Sequence, residues 1–147
     1  MALQHGKLKP HIGGHLLLPR NKSYCVIGDL HGRIDTLEKI VNKSPEFHHV
    51  LIGDSIHHKP FFKRTKKTSP VRTLEYVKKK CDENKMTLLL GNNENYILEN
   101  LVTLEDKILK KETRYTLSCL RELDFDSRLE LISWLARCPL TATIKSN

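Results

Sequence analysis

Three short apolar runs punctuate the first two-thirds of the chain. Tyr24-Cys25-Val26-Ile27 ends at Gly28-Asp29, His49-Val50-Leu51-Ile52 ends at Gly53-Asp54, and Met86-Thr87-Leu88-Leu89-Leu90 ends at Gly91-Asn92. None of the runs alternates between apolar and polar, which is the pattern of a strand covered on both faces in a parallel sheet. Helical spacing fills the intervals. Ile34, Leu37, Ile40 and Val41 form one stripe, and Val71, Leu74 and Val77 form a second after the Ser69-Pro70 start signal. Tyr96, Ile97, Leu98, Leu101 and Val102 form a third. Leu104 to Leu109 predicts a weak helix and Asp126 to Ala136 a stronger one, closed by Cys138-Pro139, after which Leu140 to Ile144 reads as a further strand. Strand-helix alternation of this kind predicts an α/β fold: a mostly parallel sheet with flanking helices and right-handed crossovers.

Residues 1–21 read as a basic, irregular lead-in containing Pro10 and Pro19, and residues 22–147 as the domain itself. The segment 55–68 is basic and without periodicity, a length usually reserved for functional loops. Lys and Arg exceed Asp and Glu by 25 to 17, a formal charge of +8 that favours anionic partners such as phosphorylated substrates. Nucleic-acid binding would need interleaved aromatics or a known motif besides the charge, and neither is present. Cys25, Cys81, Cys119 and Cys138 are widely spaced with no paired motif, so they read as reduced, mostly buried thiols rather than disulfides or a zinc site. No stretch has the roughly 20 apolar residues of a membrane span, and the expected location is the cytoplasm.

In open α/β sheets ligands gather outside the carboxyl ends of the strands. Asp29, His31, Asp54 and Asn92 all fall there, each strand ending in a glycine that permits a sharp exit. Oxygen donors with one imidazole suit Mn, Fe or Zn. Two such ions bridged by a carboxylate can activate water near neutral pH and clamp a phosphoryl group. Turn chemistry after a strand is the plainer reading of Asp29, Asp54 and Asn92, and a capping or core role that of His31.

Gly28-Asp29-Leu30-His31-Gly32, Gly53-Asp54 and Gly91-Asn92-Asn93-Glu94, in that order, resemble the GDxHG, GDxxDRG and GNHE motifs of the serine/threonine phosphoprotein phosphatases. Those enzymes belong to the calcineurin-like metallophosphoesterase superfamily, and Leu18-Pro19-Arg20-Asn21 resembles its small bacterial and bacteriophage members. The resemblance spans approximately residues 17–145. It implies that Asp29 and His31 hold a first metal, that Asp54 bridges two metals, and that Asn92 ligates the second. Manganese is the expected ion, with iron or zinc as alternatives.

Where the family has Asp-Arg-Gly, this chain has His57-His58-Lys59. The phosphate-gripping arginine is thus replaced by His58, whose imidazole lacks the planar fork of a guanidinium. Asn93 stands at the position of the general-acid histidine, and His57 at that of its aspartate partner. An amide cannot donate that proton, a contribution of about 10²–10⁴ in rate. The family completes its second metal site with later histidines, and none follows His58 in this sequence, so one ion is expected rather than two. The resemblance thus implies an incomplete half of the family's β-sandwich core, with an uncovered sheet available for self-association. Two functional readings stand. One is an impaired hydrolase of phosphomonoesters or phosphoproteins. The other is a non-catalytic pseudo-phosphatase that binds one metal, a phosphate ligand or a protein partner.

Overall fold

A computed structural model describes residues 14–56, 69–103 and 111–145. In chain order these form β1 (His15–Leu18), β2 (Tyr24–Ile27), α1 (Ile34–Lys43), β3 (His48–Leu51), α2 (Pro70–Asp82), β4 (Met86–Leu88), α3 (Asn92–Thr103), α4 (Lys111–Arg121), α5 (Phe125–Leu135) and β5 (Thr141–Ile144). The three apolar runs of the sequence become one parallel sheet in the order β2-β3-β4, with Ile27 opposite Leu51 and Leu51 opposite Leu88. Because all three strands run the same way, their carboxyl ends lie along one edge. That edge positions the site.

Successive side chains on a strand face opposite sides. Ile27, Leu51, Met86 and Leu88 point to the helical side and join Leu37, Leu74, Val77, Ile97, Leu120 and Leu135 in the main core. Val50 points the other way, onto Leu16 and Leu18 of β1, with Tyr24, Leu89 and Ala142 alongside. The chain is an α/β structure of parallel sheets flanked by helices, with a small second β-layer.

That second layer departs from the sequence reading. Residues 15–18, expected to be irregular, form β1, and they pair in parallel with β5 so that His15 lies opposite Thr141 and Leu18 opposite Ile144. Gly13, Gly14 and His15 interrupt the apolar run and hide the strand, whose partner lies more than a hundred residues away. Gly14 accepts from the N–H groups of Leu140 and Thr141, at 2.6 and 3.0 Å, and so opens the pairing. The sheet expected to be bare on one side is therefore partly covered. Val26 and Ile52 stay exposed at 63% and 55%, which marks where the cover stops.

The helix ends follow local chemistry. Ser69 caps α2 by accepting from the Arg72 N–H at 3.2 Å, with Pro70 in the first turn. The same helix closes on Asn84 at φ 56°, where Asn84 N–H donates to Cys81 O and Lys85 N–H to Lys80 O. This is a Schellman stop with asparagine in the left-handed seat. Asp124 caps α5 through the Ser127 N–H at 2.9 Å. Helix α4 has no counterpart in the sequence reading, because Thr113 and Thr116 take buried seats beside Leu117 and Leu120 and break the apolar stripe. The weak helix expected at Leu104 to Leu109 lies outside the described residues.

Candidate metal centre

Leaving β2 and β3, the chain turns through unusual backbone. Asp29, His31 and Asp54 adopt φ of 44°, 49° and 52°, and Gly32 and Gly53 have φ of 74° and 90°. Left-handed backbone costs an L-residue about 1–2 kcal/mol, and Asp, Asn and His tolerate it best. Among the described residues, the one other non-glycine in this region is Asn84, which the end of α2 explains. Such strain persists where surrounding structure enforces it, and it gathers at functional sites.

The enforcing contacts are visible. His31 N–H donates to Asp54 O at 2.9 Å, and Gly32 N–H donates to Ser55 O at 2.7 Å, tying the β2 exit to the β3 exit. The Glu94 carboxylate, fully buried, ties the β3 exit to the β4 exit. Its Oε2 accepts from Asp54 N–H at 2.9 Å and Gly91 N–H at 3.0 Å. Its Oε1 accepts from Ser55 N–H at 2.8 Å, Ser55 Oγ at 2.7 Å and Ile56 N–H at 3.3 Å. A buried carboxylate is tolerable only when its charge meets such donors.

With the loops fixed, the side chains converge. One donor atom from each of Asp29, His31 and Asp54 lies within 4.8 Å of the others. His31 Nε2 stands 3.8 Å from Asp29 Oδ2, and the imidazole is 7% exposed against 69% for the carboxylate. The cluster therefore has a protein-facing wall at His31 and an open side at Asp29. Asn93 N–H donates to Asp54 Oδ1 at 3.2 Å, so the amino end of α3, the positive end of its dipole, faces this carboxylate. Two carboxylates and an imidazole are a donor set that fits a divalent cation of the Mn, Fe or Zn type.

Two glycines make the approach possible. A Cβ on Gly53 would lie 2.4 Å from Gly91 Cα, and a Cβ on Gly91 would lie 2.5 Å from Asp54 N and 2.7 Å from Asp54 Oδ1. Gly28 differs from both: its nearest neighbour would be an Ile52 methyl at 3.6 Å, and the left-handed turn falls on Asp29 instead. The expectation that all three strand-ending glycines serve a sharp exit holds at Gly53. At Gly91 the need is for space, and at Gly28 neither applies.

Of the residues singled out in the sequence, Asp29, His31 and Asp54 come together. Asn92 opens α3 in an exposed position next to Asn93, whose backbone holds Asp54. His57 and His58 lie outside the described residues. Glu94, the last residue of the Gly91-Asn92-Asn93-Glu94 motif, carries no role that its sequence position reveals. A lone acidic residue two positions into a helix reads as a first-turn charge, and only the fold reveals the five donors around it.

The sequence model of the calcineurin-like phosphoesterase family matches residues 23–140. The chain belongs to the calcineurin-like phosphoesterases. This family is metal-dependent, and Asp29, His31 and Asp54, at the edge of the sheet, form a cluster that could hold a metal ion. A crystal structure described as "a putative diadenosine tetraphosphatase" matches with a TM-score of 0.59 at 17% identity, over 90% of this chain and 50% of the other. That likeness concerns the fold, and the chain spans about half the length of the solved structure. No curated protein matches.

Proposed function

We propose that this calcineurin-like phosphoesterase binds one divalent cation, manganese in the first instance, through Asp29, His31 and Asp54, with Asn92 beside them. On this reading it acts on phosphomonoesters or phosphorylated proteins, in the manner of the serine/threonine phosphatases, with a weakened chemical step. The observation that carries the reading is the meeting of three left-handed residues with their donor atoms within 4.8 Å. Bound there, the cation would supply Lewis-acid polarisation of a phosphoryl oxygen.

The chain's own groups account for the rest. Asp29 and Asp54 bring the negative charge that holds the cation, and the amino end of α3 sets the second of them in place. The open side at Asp29 admits a ligand, and the surplus of 25 basic over 17 acidic residues favours an anionic one. Asn93 offers no titratable proton for the leaving group, which supports slow turnover. The same residue supports the second reading, a non-catalytic domain that binds metal and phosphate without hydrolysis. All four cysteines are free thiols, in keeping with work in a reducing compartment such as the cytoplasm. Among the described residues no helix is long and apolar enough to cross a membrane.

Hydrolysis of para-nitrophenyl phosphate with and without Mn²⁺ tests the proposal. Turnover should depend on the ion, fall to background in Asp54→Asn, and rise by about 10²-fold in Asn93→His as a general acid is restored. Mn²⁺-dependent thermal stabilisation without turnover, abolished in Asp29→Ala, would favour the non-catalytic reading. Absence of both turnover and stabilisation would defeat both.

A further inference from the structure

Asp54 holds its left-handed conformation against its own steric preference, so something must impose it. The bonds from Glu94 are placed to do so. A single oxygen, Oε2, takes the N–H of Asp54 and the N–H of Gly91, at the point where Gly53 and Gly91 touch. The other oxygen takes the next two backbone N–H groups along the β3 exit, those of Ser55 and Ile56, along with the Ser55 hydroxyl. Three successive peptide groups starting at Asp54 are thereby aimed at one carboxylate. The direction of the Asp54 side chain is set by that backbone. On its far side, Asp54 O receives the N–H of His31, so the same constraint reaches a second member of the triad.

We propose that Glu94 is the positioning residue of the cation site. It makes no contact with the cation, but it fixes the Asp54 backbone and, through Asp54 O, the seat of His31, so that the donor atoms are in place before the ion arrives. This rests on the reading that Asp29, His31 and Asp54 bind a divalent cation. Glutamine cannot replace the glutamate here. One of its two terminal atoms is an NH₂ donor, which in either orientation would face at least two N–H groups.

Calorimetric titration of the full chain with Mn²⁺ tests the proposal, at a temperature where circular dichroism shows every variant folded. Glu94→Gln should lower Mn²⁺ affinity by about 10- to 100-fold, as loss of a residue supporting metal ligands does. Glu94→Asp keeps the charge but is one methylene too short to reach both loops, and should also bind weakly. Ser55→Ala, which removes one bond to Oε1 and leaves both bonds to Oε2, should lose stability in urea while binding Mn²⁺ as the unaltered chain does. A purely structural Glu94 would lower the urea midpoint but leave the affinity of the folded fraction unchanged, and that result would overturn the inference. If neither Glu94 variant folds, the residue belongs to the fold alone, which also overturns it. If the unaltered chain takes up no Mn²⁺, it is the cation reading itself that fails.

Discussion

Gly28 and Gly53 look alike in the sequence, each ending an apolar run and each preceding an aspartate, yet alanine at the two positions should behave very differently. At Gly53 the backbone sits at φ 90°, where a side chain costs about 1–2 kcal/mol. The new Cβ would also stand 2.4 Å from Gly91 Cα and 2.6 Å from Gly91 N. Both are backbone atoms held by the Glu94 bonds, so they cannot swing aside as a side chain would. Overpacking of that kind costs about 1–3 kcal/mol. Gly53→Ala should therefore destabilise by roughly 2–5 kcal/mol, a large share of the about 5–15 kcal/mol typical of a whole domain. At Gly28 the nearest atom would be a flexible methyl at 3.6 Å and φ lies outside the left-handed region. Gly28→Ala should fall between neutral and a gain of up to about 1 kcal/mol, from the stiffer unfolded chain. Urea unfolding followed by circular dichroism decides the matter. With a slope of about 1–3 kcal/mol per molar, the Gly53→Ala midpoint should drop by one to several molar while that of Gly28→Ala holds or rises. Equal midpoints, or a larger loss at Gly28, would refute the steric account of how the β3 and β4 exits meet.

Acid should weaken the fold before carboxylates titrate. Burial, then the neighbouring Lys22 charge, lowers the His48 pKa, and burial lowers that of His49, so below about pH 6.5 the unfolded chain binds the extra protons. Stability should be full above that pH and fall as pH drops, by at most about 1.4 kcal/mol per unit for each histidine. Urea midpoints that stay level from pH 7.5 to 5.5, or a slope that His48→Gln leaves unchanged, would contradict this. Burial also pushes the Cys81 thiol up to about 12 and raises that of Cys138, so iodoacetamide at pH 8 should leave both unlabelled until the chain is unfolded. Mass spectrometry that finds either one alkylated in the native protein would count against this core.

The sheet was legible because its three runs are apolar without interruption, and a run of that kind has few other uses. The convergence of Asp29, His31 and Asp54 was legible for a related reason: they directly follow those runs, and a parallel sheet delivers the ends of neighbouring strands to one edge. What escaped depended on partners distant in sequence. Strand β1 carries only Leu16 and Leu18 as buried apolar residues, and its identity depends on β5. Helix α4 buries two threonine positions that hydropathy scores as polar. Glu94 is an ordinary first-turn acid until two backbone segments, the exits of β3 and β4, close around it. Local pattern reports what a residue prefers, whereas these three features are set by what the rest of the chain brings to them.

The pairing of β1 with β5 also imposes an order on folding during synthesis. The strand that completes the layer of Leu16 and Leu18, residues 141–144, is made more than a hundred residues after them. Through that interval the inner sheet can assemble and even close its triad, while Val50 waits for its cover and an apolar ribbon stays open to other chains. The vulnerable interval thus lasts until residues 141–144 are made, and it falls on the side of the sheet that carries Val50.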